Sequence, residues 1–310
     1  MVNRIKLYNN FNTKKIHKDS IILIGNFDGL HLGHQKLFKT AKNYKKRYSL
    51  KIGVLTFEPM PKMFFNNSLK NFRISNFQQK IDNFKDIKVD FVVTKKFDKS
   101  FSKTKSISFI KEIIGHKLKP RFIFVSNNFR FGNKREGNVK ELIKYEKQYN
   151  YKIIKPHPAL IKTKVISSSL IRKYLQNGKL KEANNLLKKN WSITGKVQKG
   201  KQLGKKIGFP TANIDIKDYI LAKPGVYAVQ VKKQKSTKNM KGIANLGYRP
   251  TFKGKKILLE VHLFNFSGNL YNKHLTVDFL KFIRSEKKFK NVDQLKKQIK
   301  IDIAIAKKTK

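Results

Sequence analysis

The chain has 310 residues, and its 71 Lys and Arg against 19 Asp and Glu give a formal net charge of +52. Its hydrophobic share of 39%, with 24 Phe, is enough for packed cores and excludes wholesale disorder. The absence of cysteine excludes disulfides, thiolate metal sites and a cysteine nucleophile.

The first part of the chain alternates strand-like and helix-like segments. Ile21–Ile24 is a short continuous apolar run, which is typical of a strand buried on both faces. Similar runs predict strands at 52–57, 91–93, 122–125 and 152–154, and helical periodicity predicts helices at 34–47, 107–114 and 139–149. This alternation indicates a parallel α/β sheet of the Rossmann-like type.

The remainder of the chain has a different pattern. A helix pair at 167–178 and 180–187 ends the first region. Short alternating segments then predict strands at 192–197, 225–231, 242–245, 257–266 and 274–280, followed by an amphipathic helix at 292–306. Such strands, separated by turns, favour a small antiparallel β-barrel closed by a helix. We expect two domains, 1–188 and 189–310.

A glycine-rich segment, residues 25–34, follows the first strand directly and opens a helix. Ligands bind at the carboxyl ends of parallel strands, glycine permits close backbone approach, and a helix start offers N–H groups to phosphate. His31 and His34 share one face of the turn because they lie three residues apart. The pattern indicates phosphoryl or nucleotidyl transfer, and the alternative is a histidine pair that only caps the helix.

A second phosphate-binding pattern occurs at residues 166–172. Ser167 or Ser168 can cap a helix whose free N–H groups receive phosphate. Arg172 follows in the first turn and would supply a fixed charge to a triphosphate. The alternative is an ordinary serine-capped helix with a surface arginine.

A third pattern lies in the barrel region. Gly204 and Gly208 would let the backbone wrap phosphates, and the oxygens of Thr211 and Asn213 suit Mg²⁺ held jointly with ATP. Further on, alternation in the strand-like segment 258–264 places Glu260 and the histidine two residues later on one side. An acid in an apolar strand is unusual, although it can be a barrel-rim residue paired with lysine.

These motifs resemble those of one enzyme family. Residues 31–34 resemble the His-x-Gly-His signature of nucleotidyltransferases, and residues 25–34 are similar, more narrowly, to bacterial bifunctional riboflavin kinase/FAD synthetases. Residues 166–172 resemble a second signature of that superfamily, and residues 208–213 resemble the riboflavin kinase motif Gly-x-Pro-Thr-Ala-Asn. The chain departs from the family at Met60, where the family has His, at Ser126 and Asn272, where it has Gly, and at Lys205, where it commonly has Arg.

The resemblance implies two activities in one chain. The barrel would phosphorylate riboflavin with ATP and Mg²⁺ to give FMN, with Glu260 as base and Thr211 and Asn213 at the metal. The α/β domain would adenylylate FMN to FAD and release pyrophosphate, with His31, His34 and Arg172 stabilising the transferring phosphate. The nucleotide-binding positions implied are Gly25, Asn26, Phe27, Gly33, Ser167, Ser168, Gly204 and Gly208. The flavin-binding positions implied are Asn128 and Arg284.

Two other functions stay open at this point: a nucleotidyltransferase with another acceptor, and a basic nucleic-acid-binding protein on an inactive nucleotidyltransferase fold. The charge alone suggests nucleic acid, but only nine of the basic residues are Arg, the residue favoured for base and phosphate contacts. We therefore expect no nucleic-acid partner. With no apolar run of about 18 residues and no visible signal peptide, we also expect no membrane partner and a cytoplasmic location. The sequence does not indicate the oligomeric state.

Overall fold

The computed structural model describes residues 5–309 except 67, 70, 201, 218, 235, 237, 252 and 253, and describes 249–251 and 254–256 by their backbone only. The contacts within the chain divide it into two units. The first unit comprises Met1–Leu69 and Phe77–Ile166, and the second unit comprises Lys70–Asn76 and Ser167–Lys310.

The first unit is built on a parallel sheet. Its strands are β1 (Lys6–Tyr8), β2 (Ile21–Ile24), β3 (Ile52–Glu58), β4 (Phe91–Lys96), β5 (Phe122–Phe124), β6 (Arg130–Phe131), β7 (Gly137–Asn138), β8 (Lys152–Ile154), β9 (Leu160–Ile161) and β10 (Lys164–Val165). Within the described residues, six of them pair in parallel in the order β1-β4-β3-β2-β5-β8. The pairs β6-β7 and β9-β10 are small antiparallel hairpins. The predicted parallel α/β sheet is confirmed.

The helices of the first unit flank this sheet. They are α1 (Leu32–Tyr48), α2 (Pro61–Phe65), α3 (Phe77–Asp86), α4 (Lys99–Ser102), α5 (Ser106–Ser108), which continues as a π-helix (Phe109–Leu118), and α6 (Val139–Lys144). Short 3₁₀ turns occur at Lys15–His17 and Asn133–Arg135.

Both faces of the sheet are buried, as the continuous apolar runs predict. Ile22 and Ile24 belong to the core on one face of β2, whereas Ile21 and Leu23 belong to the core on the other face. Successive side chains of a strand point to opposite faces, so a strand covered on both sides is expected to carry mostly apolar residues.

The order of the strands locates a crevice. From β2 the chain moves to β3 and β4 on one side, and then returns to β5 and β8 on the other side of β2. The connections therefore reverse direction between β2 and β5, and ligands of open α/β sheets bind at the carboxyl ends of strands at such a point. The segments that leave this point are residues 25–34 after β2 and residues 125–132 after β5.

Two predicted helices differ in detail from the structure. The helix predicted at 107–114 is an α-turn that runs into the π-helix, where Gly115 lies so close to Tyr149 that a Cβ atom would collide with its ring. The helix predicted at 139–149 ends at Lys144. The Glu146 carboxylate beyond it accepts a hydrogen bond from the Ile153 N–H at 2.7 Å, which ties these turns to β8.

The second unit is a barrel with flanking helices. It contains α7 (Ser168–Gln176), α8 (Leu180–Leu187), β11 (Ser192–Gln198), α9 (Leu203–Lys206), β12 (Ala212–Asp215), β13 (Gly225–Lys233), β14 (Asn239–Thr251), β15 (Gly254–Leu263), β16 (His274–Ser285) and α10 (Val292–Lys307). The strands close in the order β11-β12-β15-β14-β13-β16, and all their pairings are antiparallel. The predicted barrel and closing helix are confirmed.

The core of the second unit includes Trp191, which lies 4.6 Å from Phe279 between ring centroids. The Trp191 indole N–H donates to the carbonyl of Ile74, so the short segment 70–76 is anchored in this unit. The helix pair α7 and α8 also belongs to it. The domain boundary at residue 188 stays a prediction. Among the described residues, every helix is too short or too polar to cross a membrane.

Candidate functional site

The second unit contains a cavity of about 680 Å³. Pockets that bind small molecules typically have about 300–1,000 Å³. Among the polar side chains that line it, six come from four strands and the turn before β12: Thr211, Asn213, Asn245, Glu260, His262 and Arg284. Thr211, Asn213, Glu260 and Arg284 have roles predicted from the sequence, whereas His262 and Asn245 have no predicted role.

Three of these side chains form a polar row across adjacent strands. Asn213 of β12 lies opposite Glu260 of β15, and Glu260 lies opposite Asn245 of β14. Directly opposed residues on one face have neighbouring side chains. The prediction that Glu260 and His262 share a side is confirmed, since both line the cavity, whereas Leu259 is buried in the barrel interior.

Asn213 has the property of a ligand-binding group. Its side chain is 6% exposed, and its Oδ1 has no hydrogen-bond partner among the described residues. A buried acceptor without a partner is costly, and such groups in native proteins usually bind an ion, water or ligand. The amide oxygen therefore points to an occupant of the cavity. Its position beside Glu260 places that occupant next to a carboxylate.

The glycine-rich turn fits close against this row. A Cβ atom on Gly204 would collide with the carbonyl oxygen of Phe209, so no other residue fits there. Gly208 has room for a side chain but adopts φ +91°, which favours glycine for its backbone. The turn is joined to β15, because His262 Nδ1 lies 2.9 Å from the carbonyl oxygen of Pro210. Lys201, within the same motif, lies outside the described residues.

Apolar side chains also line the cavity. Helix α10 contributes Val292, Leu295 and Ile299, and the barrel contributes Val226 and Ile243. A cavity with an apolar wall and a small set of polar groups suits a flat aromatic ligand that carries a polar chain.

Arg284 also lines the cavity, but its charge is paired. Its Nε and Nη2 donate to the carboxylate of Asp302 on α10 at 2.8–3.0 Å. Asp302 was missed at the sequence level. The available signal was an acid on the same face as Ile299, Ile303 and Ala306, where an apolar residue is expected.

The turn after β2 forms the candidate site of the first unit. Phe27 adopts φ +49°, its side chain is 3% exposed, and its ring packs 5.2 Å from that of Phe38. Only its backbone can therefore reach a ligand. Gly25 lies under this ring, with a hypothetical Cβ at 3.1 Å from Phe27 Cζ, and the neighbouring Asn26 is partly exposed.

His31 and His34 are held together at the start of α1. The rings stack with centroids 3.7 Å apart, and the His34 N–H donates to His31 Nδ1 at 3.4 Å, so His31 also caps the helix. Gly33 has no space for a side chain larger than hydrogen without movement, since a Cβ would lie 3.0 Å from the Ile166 carbonyl oxygen. The capping and phosphate-binding interpretations are thus compatible.

The electrostatics of this pair favour a neutral His34 ring. The pKa of His34 is lowered well below its usual value, mainly by burial and secondly by the neighbouring His31. Its Nδ1 is buried and has no hydrogen-bond partner among the described residues. A neutral imidazole whose Nδ1 has no partner is suited to a hydrogen bond with a ligand and does not supply a permanent charge.

The motif at 166–172 belongs, apart from its first residue, to the second unit. Ser167 caps α7, accepting from the Leu170 N–H at 3.2 Å, as the pattern predicts, and Ser168 is the first helical residue. Arg172 donates from Nε to the carbonyl of Phe72 at 2.8 Å, and its guanidinium stacks 3.7 Å above that ring. Its predicted role at a triphosphate stays a prediction.

Two of the departures from the family pattern, Ser126 and Met60, have defined surroundings. Ser126 Oγ lies 2.9 Å from Oδ1 of the exposed Asn128, so the replacement for glycine restrains the side chain implied in flavin binding. Met60 is 2% exposed at the start of α2, and its thioether is thus part of the interior.

Comparisons with known proteins agree with this two-unit arrangement. The riboflavin kinase family model matches residues 187–310, and the FAD synthetase family model matches residues 13–170. Among curated relatives, the bifunctional riboflavin kinase/FMN adenylyltransferase of Buchnera aphidicola from Schizaphis graminum is 43% identical over 96% of each chain. The enzymes of the same name from Haemophilus influenzae and Escherichia coli K12 are 38% and 35% identical, over 96% and 91% of this chain and 96% and 90% of theirs.

A solved structure matches the whole chain. The crystal structure of a macrolide-efflux protein from Streptococcus pneumoniae has a TM-score of 0.86 and 28% sequence identity, and the match covers 98% of this chain and 99% of that one. The name of that protein refers to a different activity. The structural match therefore supports the fold, and the assignment to a family rests on the sequence matches.

Proposed function

The chain belongs to the family of bifunctional riboflavin kinase/FMN adenylyltransferases, and on this premise we propose how its two sites carry the two reactions. The second unit phosphorylates riboflavin to FMN, and the turn after β2 takes part in adenylylation of FMN to FAD. The observation that carries the first assignment is the polar row in the cavity, where Glu260 lies between Asn213 and Asn245 beside a glycine-rich turn.

In the kinase reaction, Glu260 acts as the general base. It accepts the proton of the riboflavin 5′-hydroxyl as that oxygen attacks the γ-phosphate of ATP in line with the departing ADP. The partly buried position of the carboxylate on a barrel strand fixes its direction toward the cavity. Gly204 and Gly208 let the backbone approach the phosphates closely.

The residues present fit Mg²⁺. The ion prefers hard oxygen ligands and commonly binds one or two protein groups together with substrate phosphates. The hydroxyl of Thr211 and the unpartnered Oδ1 of Asn213 provide such oxygens on the cavity wall. When bound, the ion would neutralise phosphate charge and orient the transferred group.

Riboflavin itself is accommodated by the apolar side chains of the cavity. The isoalloxazine ring lies against the wall formed by α10 and the barrel, with Val226 and Ile299 among its contacts, and the ribityl chain extends toward Glu260. This orientation brings the 5′-hydroxyl to the polar row and leaves the ring in the apolar region.

In the adenylylation reaction, the acceptor is already a phosphate anion. An oxygen of FMN attacks the α-phosphate of ATP, pyrophosphate leaves, and no covalent enzyme intermediate is needed. His31 and His34 donate hydrogen bonds to the reacting phosphate and stabilise the charge that develops on it. The lowered pKa of His34 keeps this imidazole neutral near pH 7, so it acts as a donor and not as an acid.

A product assay tests the whole proposal. Purified protein incubated with riboflavin, ATP and Mg²⁺ should yield FMN and then FAD by chromatography, with ADP and pyrophosphate as the second products. Absence of flavin conversion, combined with adenylylation of another phosphate acceptor, would instead support a nucleotidyltransferase of different specificity. Salt-sensitive binding of nucleic acid without flavin turnover would support the inactive nucleic-acid-binding alternative. A cytoplasmic location, where ATP is supplied, is part of this proposal.

A further inference from the structure

Asp302 of α10 is a buried acid in the wall of the flavin cavity. Its side chain is 1% exposed, although it lies on the helix face that also carries Ile299 and Ala306. Burial of a carboxylate is costly unless it is paired and hydrogen-bonded. An apolar residue would pack at this position more simply, so the acid calls for an explanation beyond packing.

Asp302 is held by hydrogen bonds from two side chains, those of Arg284 and Gln298. Arg284 Nε lies 3.0 Å from both carboxylate oxygens, and Arg284 Nη2 lies 2.8 Å from Oδ2. Gln298, one turn earlier on α10, donates from Nε2 to Oδ1 at 3.0 Å. Arg284 Nη1 donates to the carbonyl of Ser285 at 3.0 Å. The plane of the guanidinium is therefore fixed from two sides.

This arrangement changes what Arg284 can recognise. Its charge is compensated by Asp302, so it does not act as a free cation toward phosphate. Of its five N–H donors, one on Nη1 and one on Nη2 have no acceptor among the described residues. Two of its neighbours are apolar, namely Phe289, 5.8 Å away, and Val226, opposite in the strand register. A neutral ligand with carbonyl acceptors suits these donors.

We propose that Asp302, supported by Gln298, is a positioning residue that holds Arg284 as a rigid, charge-compensated donor for the carbonyl edge of the flavin ring. The inference rests on the proposed function and adds a specificity device to it. The arginine selects for a neutral planar ring, and the polar row at Glu260 binds the 5′-hydroxyl of the ribityl chain. Lysine in place of Arg284 could pair with Asp302 but would lack the planar fork.

The test compares binding of riboflavin with binding of lumiflavin, which is the ring system without the ribityl chain. Dissociation constants are measured by flavin fluorescence quenching for the wild type, Asp302→Asn and Arg284→Lys. We expect each variant to raise the dissociation constants of both ligands about tenfold, which is the size typical for loss of one charge-assisted hydrogen-bonding unit. The double variant should bind no more weakly than Asp302→Asn, because both changes disrupt one unit.

The controls separate positioning from general damage. Asp293→Asn removes an exposed acid from the same helix and should leave flavin binding within about twofold. The KM for ATP and the conversion of FMN to FAD should be unchanged in Asp302→Asn. Unchanged lumiflavin binding would overturn the inference, and so would a joint loss of ATP and flavin binding with a lowered melting temperature. Failure of the proposed function has a different signature, namely flavin binding without FMN formation by the wild type.

Discussion

Replacement of Glu260 by glutamine is the sharpest test of the kinase site. Glutamine keeps the volume and the side-chain oxygen of glutamate but cannot accept a proton at neutral pH. Glu260 is fixed on β15 between β12 and β14, with Asn213 and Asn245 opposite it, so the variant should leave the strand and cavity in place. The change therefore isolates proton transfer from substrate positioning.

The expected loss follows from the role of a general base. Such a group contributes about 10²–10⁴-fold to a rate, which corresponds to roughly 3–5 kcal/mol in activation free energy. We expect kcat for FMN formation to fall by this factor in Glu260→Gln, with the KM for riboflavin changed less than about threefold. Chromatography of the flavins over time gives both products in one assay.

The protein supplies an internal control for this variant. Conversion of added FMN to FAD does not use Glu260 in the proposed mechanism and should proceed at the wild-type rate. Glu182→Gln, which removes an exposed acid on α8, should leave both rates unchanged. A kinase rate above about one tenth of the wild-type value would contradict the base assignment, and a parallel fall of both reactions would contradict the division between two sites.

Three further predictions concern the metal and the histidines. Asn213→Ala should raise the Mg²⁺ concentration needed for half-maximal FMN formation about tenfold, measured by titration, and an unchanged requirement would exclude Asn213 as a ligand. His31→Ala combined with His34→Ala should lower FAD formation by about 10²–10³-fold and spare FMN formation; a normal FAD rate would exclude the pair from adenylylation. As the pH falls below 6.5, the melting temperature should fall less in His34→Gln than in the wild type. The folded-state pKa of His34 is lowered, so the unfolded chain binds the proton first and stability rises with pH in that window. An unaltered pH dependence would show that His34 is not buried as a neutral ring.

Periodicity and motif order predicted the parts of the fold that are buried on both sides or alternate regularly. The run Ile21–Ile24 became a central strand because every side chain on it faces a core. The edge strand Lys6–Tyr8 was missed because an edge strand exposes residues and carries no apolar pattern. Strand β12 (Ala212–Asp215) was missed because its first residues were interpreted as the end of a phosphate-binding turn.

The candidate site was predictable where the chemistry is local in sequence and not where it depends on pairing. Thr211 and Asn213 stand in one motif, and His31 and His34 in another, so the local sequence and its resemblance to the family motifs indicated them. The proximity of Asn245 to Glu260 depends on the register between β14 and β15, which no local pattern specifies. The pairing of Arg284 with Asp302 depends on how α10 packs on the barrel. Both required the tertiary structure.

The rarity of arginine turns out to be informative about the site. Lysine supplies most of the 71 basic residues, and an exposed ammonium is adequate wherever only solubility or a weak surface pair is required. Arg284 instead uses its fork on Asp302, and Arg172 stacks 3.7 Å above Phe72 while donating from Nε to that residue's carbonyl. A planar guanidinium does both, and a lysine ammonium does neither. In a chain whose basic positions are mostly lysine, these arginines mark places where geometry, and not charge, is required.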